Sequence, residues 1–424
     1  MSISSALFSG VSGLNANSTA MTVIGNNIAN TNTSGYKASD TTFSDVISQS
    51  SDVGRGTQLN SISTSFEQGS LESTTSVTDL GLEGDGFFIV NDGNSSYYTR
   101  DGRFSFDKDR YIVNSNGLKL QGWAADSNGN ATGALQDLQF SAGDVPPNQT
   151  SSISVTANLD SRVTAIPGGF DATNATTVAA TSHFSTGVTV YDSLGNPHTT
   201  VIYFTKTTTP VPPATDSVWE WNATVDGSEI TGGTAGTLEI EGSGTITFGS
   251  DGTFSSATGL TSSDFDFIGA AQSQNITFDF GTATNGTTQF GSASSVGLLS
   301  QDGYASGSLQ SISIDEEGLI TGFFTNGQIQ PVALVAVANF QNMDGLKAAG
   351  GSLYAETFDS GPPVVTEANT GGAAAIQSNT LEQSNVDLAQ EFVKMITTQR
   401  GFQANSRTIT TTDEMMAEII NIKR

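Results

Sequence analysis

The sequence predicts a multidomain, mainly β fold with long α-helical termini and a second all-β domain inserted into a first. Three observations carry this. Apolar residues recur at helical spacing at the two ends; about 350 residues between them alternate like strands; and a Gly-, Ala- and Thr-dense block interrupts the β pattern before it resumes. A lone chain could pair its two end helices, whereas a polymer could pack them against many copies.

The first helix is expected over 3–29. Leu7, Val11, Leu14, Ser18, Met21, Gly25 and Ile28 follow alternating steps of four and three, a heptad seam. Positions off the seam are small or uncharged, among them Ser9, Ser12, Gly13, Ala16 and Ala20. The first charge in the chain is Lys37. A surface helix on a monomer normally carries Lys and Glu outside, so an uncharged helix of small residues predicts close packing by neighbours on several sides. A signal peptide requires a positive amino-terminal region and a continuous apolar stretch. Here the apolar residues are periodic and interrupted, which predicts a retained structural helix. Asn26, Asn27, Asn30 and Gly35 then cluster where the helix stops, as residues that cap helices and tolerate left-handed backbone do.

Residues 33–80 are expected to be an extended connector, Ser/Thr-rich from 38 onward. A β domain follows over 81–159 and 296–383. Gly86–Val90 reads as a buried strand, residues 97–106 as strand, Asp101-Gly102 turn and strand, and Asn116-Gly117 as a hairpin turn. Residues 160–295 form the inserted outer β domain, with strands at Val188–Tyr191 and Thr200–Phe204 around the turn Ser193–Pro197, alternation over Thr237–Phe248, and a closing strand Ile276–Phe280. Further hairpins are expected over 309–345, one of them at Asn326-Gly327. The last helix, 387–423, opens on Ser384-Asn385-Val386-Asp387, a capping-box pattern. Leu388, Phe392, Met395, Gln399, Phe402, Ser406, Ile409, Asp413, Met416 and Ile420 make its heptad seam. The terminal helical domain is therefore 1–32 with 384–424.

Composition narrows the function. The net charge is −27 with only 15 Lys plus Arg, which opposes a nucleic-acid partner because phosphate binding needs a basic patch. The chain has no Cys, so disulfides, thiolate metal sites and Cys nucleophiles are excluded. No run reaches the about 20 apolar residues of a membrane span, so no membrane insertion is expected. His183 and His198, the two histidines, lie in Thr-rich strand sequence with no His or carboxylate at ligand spacing, and read as structural. Asp126, Asn128, Asn130 and Asp137 are similar to a calcium loop, but Ala131 stands where such a loop requires Gly, so a polar hairpin turn is expected. Gly81, Gly84 and Gly86 lead into a strand and have the wrong spacing for a phosphate loop. No catalytic, cofactor or metal residues are therefore assigned, and an assembly motif at the termini is the stronger expectation.

Residues 26–37, Asn-Asn-Ile-Ala-Asn-Thr-Asn-Thr-Ser-Gly-Tyr-Lys, resemble the amino-terminal signature of bacterial flagellar rod and hook axial proteins. Ser384–Leu388 and Met395–Asn405 resemble their carboxy-terminal signature, and Gly84–Phe88 their shared β domain. The signature residues are Asn26, Asn27, Asn30, Gly35, Tyr36, Asn385, Asp387, Gln399 and Arg400. Ala157–Ser161, Val190–His198 and Gln301–Gly307 resemble the hook members of the family. Distal rod members lack a large inserted domain, and the Thr/Gly-rich parts of the insert, 206–217 and 249–275, resemble nothing in particular.

The resemblance implies a hook subunit without enzymatic activity. Its terminal helices would pack as a coiled-coil-like tube core with both β domains outside, and the tube would join rod to filament as a flexible, torque-transmitting universal joint. The implied partners are copies of the chain itself, the distal rod, the hook cap, the hook–filament junction and the flagellar type III export proteins, with an extracellular location in the hook. The assembly residues are Leu7, Val11, Leu14, Met21, Ile28, Leu388, Phe392, Met395, Phe402, Ile409, Met416 and Ile420. The alternatives are a rod-type protein with an extra domain and a secreted acidic β adhesin or glycan-active protein.

Overall fold

The computed structural model describes residues 3–47, 54–140, 145–208, 216–262, 264–271 and 273–422, without the side chains of 3–5 and 421–422. Residue 423 of the expected last helix, 48–53 of the expected connector and 209–215 of the 206–217 stretch lie outside the described residues. The chain forms two compact units, one of Met1–Ala142, Ser311–Phe323 and Ile329–Arg424, the other of Gly143–Gln310 and Phe324–Gln328.

In the first unit, helix α1 spans Ile3–Ala29. The central strand of a twelve-stranded sheet is Ile329–Asn339. Its run Ala333–Ala338 is buried throughout, as a strand covered on both faces must be. It pairs antiparallel with Leu319–Phe324, Lys119–Ala125, Phe87–Asn91 and Val364–Glu367. Beneath it Phe87, Ile89, Tyr98, Phe340 and Tyr354 make an aromatic core, with Tyr98 edge-on to Phe340 at 4.7 Å between centroids. Two short pairs join distant sequence: Leu71–Ser73 with Thr380–Glu382, and Leu80–Glu83 with Ala375–Ser378.

Two local expectations are corrected. Asp101-Gly102 is not a hairpin turn. Strand Ser96–Thr99 pairs with Phe87–Asn91 and Leu353–Ala355, while Phe104–Phe106 pairs with Ile112–Asn114. Gly102 instead lies against the Leu80 backbone and accepts its N–H at 2.9 Å. The connector is also not simply extended, because Ser39–Asp45 and Thr57–Thr64 form an antiparallel pair. A bulge leaves Asn60 unopposed: Phe43 faces Leu59, but Thr41 faces Ile62. Residues three apart normally point to opposite faces of a strand, and the extra residue brings Leu59 and Ile62 to the same face as Phe43. The Asn116-Gly117 and Asn326-Gly327 turns form as expected, each glycine with positive φ.

In the second unit a five-stranded antiparallel sheet runs in sequence order through Phe184–Tyr191, Pro197–Thr208, Ser217–Asp226, Leu238–Phe248 and Phe254–Ala257. The first two strands join at the expected turn, where the Asp192 carboxylate accepts the N–H groups of Leu194 and Asn196, both at 2.8 Å. A three-stranded sheet places Ser152–Asn158 between Thr277–Asp279 and Ser295–Gln301. Ile153 and Val155 enter the core with Phe204, Trp219, Trp221, Phe248 and Phe278, so the packed unit reaches beyond 160–295 at both ends. A short helix α2, Ala175–Thr181, was not expected; Asn174 caps it by accepting from the N–H groups of Thr176 and Thr177, both at 3.0 Å.

Gly242 and Gly244 lie within one continuous strand and make room for its neighbours. A Cβ on Gly242 would sit 3.1 Å from the Phe278 ring, and one on Gly244 would collide with the Thr258 carbonyl that accepts the Trp221 indole N–H. Gly244→Ala is expected to destabilise the second unit by about 1–3 kcal/mol. The check is the denaturant midpoint followed by tryptophan fluorescence; an unchanged midpoint would show that the strand has room to yield.

Candidate assembly surface

Helix α3 spans Leu388–Ile422 and lies antiparallel to α1 in the first unit. Small residues set the contact. Gly10 faces Ile409, Gly13 faces the Asn405 side chain, and Gly401 faces Asn17; a Cβ on Gly13 would sit 2.5 Å from Asn405. Ala20, Ile24 and Asn27 continue the buried face of α1, and Glu391 and Thr412 are the most buried residues of α3.

The seams read from sequence are not that face. On α1 the buried positions 10, 13, 20, 24 and 27 fall one residue before Val11, Leu14, Met21, Gly25 and Ile28, a rotation of about 100°. The same offset separates buried Glu391 and Thr412 from Phe392 and Asp413 on α3. Leu7, Leu14, Met21 and Ile28 are half-buried and Val11 is exposed. On α3, Leu388, Phe392, Phe402, Met416 and Ile420 are exposed, Ile420 at 66%. Met395 and Ile409 are half-buried, and Ile409 meets α1 at Gly10. Phe8, Val393, Ile396, Met415 and Ile419 widen the uncovered apolar surface. Ser18, Gln399, Ser406 and Asp413, the polar interruptions, are also exposed. The exposed face of the bulged pair, with Phe43, Leu59 and Ile62, adds a second apolar patch.

Seven of the nine signature residues hold the junction from which both helices leave. The Asn27 side-chain amide donates to the Ser39 carbonyl at 2.8 Å and to Glu391 of α3 at 3.3 Å, and its Oδ1 accepts from the Ser39 N–H at 3.0 Å and the Tyr36 hydroxyl at 3.2 Å. Burial, then the Glu391 charge, raises the Tyr36 phenol above its ordinary range. Asn26 donates to the Tyr36 oxygen at 3.3 Å, and Asn30 donates to the Asn26 carbonyl at 2.9 Å. Gly35 has φ 65°, and a Cβ there would collide with the Asp101 backbone. Asn385 accepts the Ala38 N–H at 2.8 Å and donates to the Ser65 and Glu67 carbonyls at 2.9 and 3.0 Å. The expected capping box does not form. Asp387 alone caps α3, accepting from the N–H groups of Ala389 at 2.8 Å and Gln390 at 3.2 Å, while Ser384 turns to the N–H of Val386. Gln399 and Arg400 are exposed on α3, away from this junction.

Beneath it lies a feature that the sequence reading missed. Glu382, fully buried, meets the Lys37 ammonium at 2.7 Å and the Arg100 guanidinium at 3.3 Å. It also accepts the Gly69 N–H at 2.8 Å, and its carbonyl accepts the N–H of Gly35 at 2.8 Å. Lys37 and Arg100 donate in addition to the Glu67 and Gly84 carbonyls, at 2.7 and 2.8 Å. Burial pushes both cations below their ordinary pKa, and the Glu382 charge opposes this. One carboxylate thus joins three segments far apart in sequence.

The residues weighed for chemistry serve structure. Asp126 accepts the N–H groups of Asn128 and Asn130 in a tight turn, and Asp137 pairs with Gln121 and Lys119. His183 accepts the Lys206 N–H at Nδ1. His198, expected without carboxylate neighbours, lies between Glu229 at 2.8 Å and Asp192 at 3.3 Å and stacks on Phe267. The fold brings Glu229 there from another strand connection.

Four family descriptions match in chain order: "Flagella basal body rod protein" at 7–37, "Flagellar hook protein FlgE/F/G D1 domain" at 81–160, "Flagellar basal body protein FlaE D2 domain" at 158–304 and "Flagellar basal body rod FlgEFG protein C-terminal" at 377–422. They define the class: an axial structural protein of the bacterial flagellum. The flagellar hook protein FlgE of Borreliella burgdorferi is 35% identical over 448 residues, covering 98% of this chain and 99% of that one. That of Escherichia coli is 34% identical over 431 residues, covering 97% and 98%. The chain belongs to the flagellar hook protein FlgE family and is a structural subunit of the hook. The fold is also similar to the crystal structure of Helicobacter pylori flagellar hook protein FlgE2, with a TM-score of 0.53 at 16% identity, covering 74% of this chain and all of that one.

Glu382→Gln is expected to cost about 3–5 kcal/mol, because it leaves two buried cations without their counter-charge. A Lys37→Met, Arg100→Met, Glu382→Leu triple variant should recover most of that loss. Urea unfolding of the three proteins checks both outcomes.

Proposed function

We propose that copies of this chain join through α1 and α3 into a tube that bends while it carries torque from rod to filament. The observation that carries this is the apolar surface that remains when α1 and α3 pack on each other: the exposed stripe of α3, with Phe8, Val11 and the half-buried seam residues of α1. In a lone subunit this surface is wholly or partly open to water; between subunits its burial supplies roughly 25 cal/mol per Å². The assembly residues are those of the two seams, from Leu7 to Ile28 and from Leu388 to Ile420.

Residues 1–32 and 384–424 then form the inner core, 33–80 the connector, 81–159 with 296–383 an intermediate β domain, and 160–295 the outer one. The outer domains make the more polar contacts, which rearrange at lower cost than an apolar seam when the tube bends. The role is mechanical and non-enzymatic. Distal rod, hook cap, hook–filament junction and type III export proteins are the partners, and the tube lies outside the cell after export. Near-complete coverage of FlgE relatives, insert included, favours a hook subunit over a rod-type protein.

Phe392→Asp and Ile420→Asp should leave the monomer folded and raise the critical concentration for tube formation at least tenfold, about 1.4 kcal/mol per subunit. Sedimentation and negative-stain electron microscopy measure this; tubes at wild-type concentration would refute the seam. Asp413→Leu should change tube form or stability if Asp413 sets register between neighbours. Tubes of unchanged diameter, pitch and midpoint would place it in open solvent.

A further inference from the structure

The second unit is extreme in charge. Its residues hold 15 Asp plus Glu but only two basic side chains, Arg162 and Lys206, for a net charge of −13 with His neutral. Both cations are committed internally. Arg162 forks onto Asp160 at 2.9 and 2.7 Å. Lys206, 3% exposed, donates to the carbonyls of Ser161 at 2.7 Å and Val163 at 3.2 Å. The histidines are engaged as well: His183 accepts a backbone N–H, and His198 lies between two carboxylates of its own unit. Among the described residues, this unit therefore has no uncommitted cation to offer a neighbour. Glu239, Glu241, Asp264 and Asp266 lie near one another, and burial followed by the other three charges raises the Glu241 carboxyl above its ordinary range.

Helix α1 is the opposite case, with no charged side chain from Ile3 to Ala29. Contacts made through its apolar stripe are nearly blind to salt. Second units brought side by side would meet anion against anion, a repulsion that dissolved cations screen.

We infer that repulsion between the second units of neighbouring subunits acts as an electrostatic spring, so that the bending stiffness of the tube is set by the counterions between them. This rests on the tube proposed above. At about 0.01 M salt the Debye length is about 30 Å and neighbouring units repel across their full width; at 0.15 M it is about 8 Å and they can close on the inner side of a bend. The partner is the mobile cation atmosphere, and monovalent salt suffices.

The test is the persistence length of purified wild-type tubes, measured by electron microscopy in 10 and 300 mM NaCl. The expected result is at least a twofold fall at the higher salt. Glu239→Gln, Glu241→Gln, Asp264→Asn and Asp266→Asn together take the unit from −13 to −9. Repulsion scales with the product of the charges, so the salt response should fall to about half. Equal persistence lengths for wild type at both salts would overturn the inference, and so would MgCl₂ acting far beyond NaCl at matched ionic strength, which would indicate bound divalent ions. If the quadruple variant fails to fold, the wild-type salt series still decides. Absence of tubes at every salt would instead refute the assembly reading beneath it.

Discussion

The buried Glu382 carboxylate is the constraint on which the first unit depends. It takes one cation from the stretch after α1 and another from the end of a strand in the β sheet, and it sits in a strand just before α3. A buried carboxylate facing two cations is stable only while all three segments are in place, since loss of any one leaves charge without partner or water. The direction in which α1 and α3 leave the sheet is therefore fixed by an interaction that tolerates little variation. Asn27, Tyr36 and Asn385 refine the same junction with hydrogen bonds that link the two chain ends.

Above this knot the two helices divide their surfaces. Glycine and alanine bring the axes close on one face, leaving larger apolar residues one position further round. The helix pair resembles half of a bundle, satisfied on one side and open on the other. This explains how a heptad pattern can be correct as a pattern and yet point away from the partner helix in the same chain. Between the ends, the aromatic cores of the β units require nothing from a neighbour.

Much of this was legible in the sequence. The long helices, the β middle and the hook resemblance follow from period, turn residues and local motifs, all of which are short-range. What was not legible needed long-range information. Lys37 and Glu382 are 345 positions apart, and no local signal pairs them. The small residues of the first helix predict close packing, but an apolar count does not single out Gly10, Gly13 and Ala20 as the face that meets α3. Asp101-Gly102 looked like a hairpin because a turn dipeptide says that the chain bends but not which strands it joins. The helix Ala175–Thr181 lay in Thr/Ala-rich sequence whose only signal was the Asn174 cap.

The unopposed Asn60 has a consequence for how this region can change in length. The bulge absorbs one extra residue without turning the ribbon over: Leu59 and Ile62 keep the face that Phe43 and Thr41 set on the opposite strand. Deleting Asn60 would leave Leu59 and Ile62 two apart, as regular pairing requires, on that same face. This strand can therefore differ in length by the single bulge residue and still present the patch, whereas a one-residue insertion that no bulge absorbs would send every side chain beyond it to the other side.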